Sequence, residues 1–127
     1  MSRTCVCESG NTLIFACSGA ADVGAVTDWA ARELTEEKCG RMFCLAGIGG
    51  RVSPIMEATK AAKRLVVLDG CPLDCARQTL LSAGFTPTIH VRVTDLGFEK
   101  GKIADSEPAI ARVKEVVRKG CEESTSM

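Results

Sequence analysis

Leu65-Val66-Val67-Leu68-Asp69-Gly70-Cys71-Pro72 is the stretch whose reading decides the fold. Its first four residues are all Leu or Val, the composition of a strand covered on both faces. Such a strand belongs to a parallel sheet layered between helices. The Gly70-Cys71-Pro72 turn then opens a helix that the pattern carries to about Gly84.

Working outward, the same alternation repeats. Thr12-Leu13-Ile14-Phe15-Ala16 reads as strand one and stops at Cys17-Ser18-Gly19. Asp22 is placed to cap a helix whose Val23, Val26, Ala30 and Leu34 recur at spacings of three and four, with Gly40 at its end. Met42 to Ala46 reads as strand two, followed by the loop Gly47-Ile48-Gly49-Gly50. Ser53-Pro54 has the form of an N-cap with proline at the first helical position, and that helix runs to about Lys63. Downstream, Thr88 to Val93 is strand four. Ser106-Glu107-Pro108 opens the last helix, with Ile110, Val113 and Val117 on one face. Strands separated by helices imply parallel pairing through right-handed crossovers. The expected fold class is α/β: a three-layer sandwich with a four-stranded parallel sheet of order 2-1-3-4, flavodoxin/Rossmann-like.

The totals agree with one domain over residues 1–127, with 1–10 and 121–127 expected to be flexible. Sixteen basic and sixteen acidic side chains cancel, and no basic run or aromatic platform points to nucleic acid. No apolar stretch approaches the roughly 18 residues that span a bilayer. The segment Met1 to Cys7 lacks the apolar core of a signal peptide, so a cytoplasmic location is expected. Eight cysteines in such a chain then suggest metal binding or thiol chemistry more than disulfides.

Topology sorts these cysteines. Ligands of an open parallel sheet bind beyond the carboxyl ends of its strands. Cys17 follows strand one, Cys44 lies toward the end of strand two, and Cys71 follows strand three. Cys75, four residues on, faces the same way as Cys71 if both are helical. With strands two, one and three adjacent, four sulfurs are placed to converge at one rim, and four thiolates are the closed tetrahedral shell of structural zinc. A cysteine is also a common small core residue, and Cys44 inside an apolar strand, taken singly, is more often packing than ligand, whereas Cys71 and Cys75 suit either role equally. Cys39 and Cys121 sit at helix C-termini, away from this rim, and are read as packing or exposed residues. The path of Cys5 and Cys7 is not set by the pattern.

The chain resembles the DGC-domain family of zinc-binding candidates at Leu68-Asp69-Gly70-Cys71-Pro72-Leu73-Asp74-Cys75, which contains the Asp-Gly-Cys triplet that names the family. Cys17-Ser18-Gly19, Glu33-Leu34-Thr35, Cys44-Leu45-Ala46-Gly47-Ile48-Gly49 and Val93-Thr94-Asp95-Leu96-Gly97 match in order, so the likeness covers roughly residues 12 to 117. It implies zinc, one ion per chain, held by Cys17, Cys44, Cys71 and Cys75. It implies no particular reaction, and whether the protein is an enzyme stays open.

Rival chemistries use the same segment. A thiol-redox or thiol-transfer enzyme would employ Cys71 or Cys75 as nucleophile. Four thiolates also suit an iron–sulfur cluster, the lesser alternative to zinc. A scaffold module would use the metal only for stability. Cys71 to Arg77 fits the C-x5-R phosphate pattern, but its loop has no glycine and Asp74 would repel phosphate. The glycine loops at 19–24 and 47–50 suit a small thiol or anion ligand near the rim, although turn formation alone explains most such glycines. Asp69 and Asp95 are read chiefly as caps for loop amides, with support of a metal ligand or a general-base role as the alternative, His90 as a strand side chain, and Trp29 as a partly buried packing group.

Overall fold

The computed structural model describes the backbone of residues 11–126 and the side chains of residues 11–124. The elements run β1 (Thr12–Ala16), α1 (Asp22–Glu36), β2 (Arg41–Met42), α2 (Leu45–Gly49), α3 (Ser53–Ala61), β3 (Arg64–Asp69), α4 (Cys75–Ser82), β4 (Ile89–Arg92) and α5 (Glu107–Ser126). The four strands form one sheet of order β2-β1-β3-β4, all pairs parallel. This is the expected α/β architecture.

Every residue of β1 and β3 is buried. The side-chain alternation of a strand splits their residues between two cores. Ile14, Val66 and Leu68 pack against α1 and α5, through Val26, Leu34 and Val113 among others. Leu13, Phe15 and Val67 pack against α2 and α4, through Ile48, Ala76 and Leu80. Two apolar faces are why these strands read as unbroken apolar runs. On the outer side, Lys114 of α5 bonds Glu33 and Glu37 of α1, and Arg118 bonds Glu37. Cys39 and Cys121 are buried in the core shared by α1 and α5, and Cys121 is disulfide-bonded, a bond the cysteine pattern did not lead us to expect.

Several boundaries differ from the sequence expectation. Strand two does not reach Ala46. β2 pairs only Arg41 and Met42 with Leu13 and Ile14. The chain then turns, and Cys44 becomes the N-cap of α2, its sulfur accepting from the Gly47 amide at 3.3 Å. Phe43 and Leu45 still bury, but against the α4-side core. Helix α4 begins at Cys75 and not at Cys71-Pro72, because Asp74 takes a left-handed conformation (φ 54°) just before it. Cys71 and Cys75 therefore do not share a helix face. α1 ends before Gly40: Lys38 takes the left-handed position at φ 61°, and the Cys39 amide reaches back to the Leu34 carbonyl at 2.8 Å. Trp29 is 54% exposed and is not a packing group.

Beyond the end of β3 the backbone is tightly packed. A Cβ built on Gly70 would lie 2.8 Å from the Gly24 nitrogen and 2.8 Å from the Val23 carbonyl carbon. Both are backbone atoms at the start of α1 and cannot swing aside. Gly70→Ala is expected to destabilise the domain by about 1–3 kcal/mol, as overpacking does. A urea midpoint equal to that of the parent protein would contradict this close approach.

Candidate functional site

The rim is assembled from loops that leave the carboxyl ends of the strands. At β1, the Cys17 amide still bonds the Leu68 carbonyl at 2.9 Å, which extends the sheet contact one residue further. Thr27 of α1 then organises the loop. Its hydroxyl donates to the Gly24 carbonyl at 2.7 Å, accepts from the Ser18 amide at 3.1 Å and lies 3.6 Å from the Cys17 sulfur. Ser18 holds a left-handed backbone (φ 50°) with its hydroxyl donating to Asp28. Cys17 is half-buried and Cys44 is exposed. The two line one cleft of about 520 Å³ together with Phe43, Leu45 and Thr79.

After β3, the turn 70–74 leads from Cys71, half-buried, to Cys75, exposed at the first residue of α4. Asp69, 1% exposed, closes this turn from the strand side. Its carboxylate accepts from the Ala76 amide at 2.8 Å and the Arg77 amide at 3.1 Å, the free donors of the first turn of α4. His90 Nε2 lies 2.8 Å from the same carboxylate and 3.6 Å from Asp74 Oδ1. Arg92 grips Asp74 with two bonds, at 2.8 and 2.7 Å, and reaches Asp95 at 3.0 Å. The Arg92 guanidinium holds the Asp74 carboxyl below its usual range, against the opposing effect of burial. Lys100 Nζ, from the loop after β4, lies 3.7 Å from the Cys71 sulfur.

The fold brings the four predicted sulfurs to one rim, on the loops that follow β1, β2 and β3. It does not gather them into a finished shell. Among the described residues, Asp69, Asp74 and His90 form the one group of three His, Cys, Asp or Glu donors within 4.8 Å of one another. That group is already committed to amides and to Arg92. It is an internal polar network, not an open ion cradle. Cys17, Cys44, Cys71 and Cys75 are nevertheless all free thiols, and in kind they are the donors zinc prefers. Cys5 and Cys7 lie outside the described residues. Asp69 is a cap for amides, as its position after the strand suggested. Its occupation of the α4 amides also removes the donors that a C-x5-R phosphate loop would need. Sequence reasoning missed Arg92, Lys100 and Thr27, which act through partners 18, 29 and 10 residues away. No local pattern marks such pairs.

With this rim in place, comparison with known proteins is informative. The DGC domain matches residues 13–119. The chain belongs to the DGC-domain family. Among its relatives is the anaerobic and virulence modulator AnvM of Pseudomonas aeruginosa, 32% identical over 95 residues, which cover 75% of this chain and 72% of AnvM. No solved structure gives a significant match. The matched span of this DGC-domain chain takes in the three rim loops that carry Cys17, Cys44, Cys71 and Cys75. No helix among the described residues is long and apolar enough to cross a membrane.

The loop that carries Lys100 is tied back to the rim by Asp22. The Asp22 carboxylate accepts from the Gly101 amide at 2.8 Å and the Ile103 amide at 3.0 Å. These bonds, that of Gly101 foremost, hold its carboxyl below the ordinary carboxylate range. A lowered folded-state pKa means that the tether is complete above the unfolded carboxylate value. It is lost as pH falls through the folded value. Asp22→Ala is therefore expected to speed hydrogen exchange at Gly101 and Ile103 near neutral pH. The gap from the parent protein should narrow below about pH 4. Equal protection of both amides near neutrality would show that the tether does not hold the loop.

Proposed function

We propose that this DGC-domain protein binds one zinc ion through Cys17, Cys44, Cys71 and Cys75. The observation that carries the reading is the placement of four free thiols on three adjacent loops at the carboxyl rim, following β1, β2 and β3. Strands in the order β2-β1-β3 make these loops neighbours, and ligands of open parallel sheets bind at this edge. Binding would have to draw the sulfurs together, since no three of the described donors within 4.8 Å are thiols. Exposure of Cys44 and Cys75, and their location at the first turns of helices, favours that adjustment.

When bound, zinc would supply a cross-link between loops far apart in sequence. Four thiolates fill a tetrahedral shell and leave no position for a substrate, so the reading is metal holding or sensing and not hydrolysis. A sensing role is also in keeping with the modulator role stated in the name of AnvM.

One specific observation favours a second reading, thiol chemistry at Cys71. The Lys100 ammonium lies 3.7 Å from its sulfur, a cationic donor beside the attacking atom. The metal-free protein would then show one thiol alkylated far faster than the others at neutral pH.

Protein purified under reducing conditions without added zinc is expected to carry about one zinc ion per chain by mass spectrometry. Replacing any of Cys17, Cys44, Cys71 or Cys75 by serine should remove most of it, whereas Cys39→Ala should retain it. A chain free of metal throughout sinks the zinc reading, and a brown protein with visible absorbance would replace zinc by an iron–sulfur cluster.

A further inference from the structure

We infer that Asp69, His90 and Arg92 are positioning residues for the Cys71–Cys75 arm of the metal site. This inference rests on the zinc reading and gives a role to Asp69 of the Asp-Gly-Cys triplet and to His90 and Arg92, which lie in none of the matching segments.

The arm has a mechanical problem. Two ligands four residues apart on one helix would be fixed by the helix itself. Here Cys71 lies in the turn and Cys75 starts the helix, so the helix cannot set their relation. Between them Asp74 sits at φ 54°, a conformation that is unfavourable for a residue with a side chain. Such a conformation persists only when its surroundings hold it.

The surroundings come from two strands. In the parallel register Val67 lies beside His90, and Asp69 beside Arg92. Side chains of alternate residues share a face, so Val67, Asp69, His90 and Arg92 all point toward α4. Their neighbours Leu68 and Val91 enter the opposite core. β4 therefore offers two polar side chains on the face where the central strands offer apolar ones. Both are used at the turn. Arg92 fixes Asp74 through two bonds. His90 braces Asp69 at 2.8 Å, and Asp69 fixes the amides of Ala76 and Arg77, the two residues that follow Cys75. The Thr94 amide adds a bond to the Gly70 carbonyl at 3.2 Å, on the residue before Cys71. Each cysteine of the arm is thus adjacent to backbone anchored from β3, from β4 or from the turn after it. None of these anchors uses a cysteine sulfur, and the Cys71 sulfur meets the Lys100 ammonium at 3.7 Å.

Groups that orient metal ligands typically change affinity 10- to 100-fold when removed. The experiment is zinc transfer from the full-length, zinc-loaded protein to a chromophoric chelator, together with the visible spectrum of the cobalt-substituted protein. Asp69→Ala and Arg92→Ala are expected to speed zinc release roughly tenfold or more and to shift the cobalt bands. Arg92→Lys should recover part of the loss. Lys114→Gln, which removes ion pairs of α5 on the other face of the sheet, should leave release unchanged. If the alanine variants do not fold, His90→Gln and Arg92→Lys serve in their place, with smaller shifts in the same direction. Release within about twofold of the parent in every variant, with unchanged cobalt bands, overturns the inference. If the parent chain itself takes up no zinc or cobalt, the zinc reading is what fails. Positioning is then decided by alkylation of the metal-free protein with iodoacetamide. The variants should alter the rates at Cys71 and Cys75 severalfold and leave those at Cys17 and Cys44 alone, and unaltered rates at Cys71 and Cys75 overturn the inference.

Discussion

The rim depends on one buried carboxylate. Asp69 stands at the last residue of the central strand, almost wholly removed from water. A buried carboxylate is costly unless its oxygens are fully hydrogen-bonded. Two helix amides and a histidine supply those bonds. The same bonds satisfy donors that α4 could not satisfy itself, and they set where that helix begins. Strand, turn and helix are joined at a single side chain. The spacing of Cys71 and Cys75 follows from that junction and not from helical periodicity.

Around this junction the fold uses polar side chains to hold loops and apolar ones to hold layers. Thr27 ties the Cys17 loop to α1, Asp22 ties the loop of Lys100 to the same helix, and Arg92 ties Asp74 to β4. The start of α1 is the common support, because Gly24 and Gly70 let three segments of backbone meet there. A domain organised this way presents its cysteines on loops anchored near, but not at, the sulfurs. That suits a ligand that completes the site on arrival. Membership of the DGC-domain family and the likeness to AnvM assign no reaction to this rim.

The misplaced boundaries share a cause. Met42 to Ala46 has the composition of a strand, yet only Arg41 and Met42 pair. Phe43 and Leu45 find burial against the α4 side without sheet partners, and Cys44 caps a helix of its own. Burial, not pairing, was what their composition specified. Cys71-Pro72 has the form of a helix start, but the cap came from Asp69 through space and Asp74 intervened. Trp29 shows the converse: a large apolar residue on a helix that stays more than half exposed.

The amino-acid pattern by itself determined the strand–helix alternation, the parallel sheet and the order 2-1-3-4. Doubly buried strands need unbroken apolar runs, and right-handed crossovers leave few arrangements for them. With the order known, the rim that carries Cys17, Cys44, Cys71 and Cys75 was also legible. Only the tertiary structure decided which polar groups would meet there. Arg92 and Asp74, or Lys100 and Cys71, become partners through register and loop geometry, and neither leaves a local trace in the sequence. Hydrophobic periodicity encodes which face a residue turns inward. Hydrogen bonds between distant loops form only after those faces have packed.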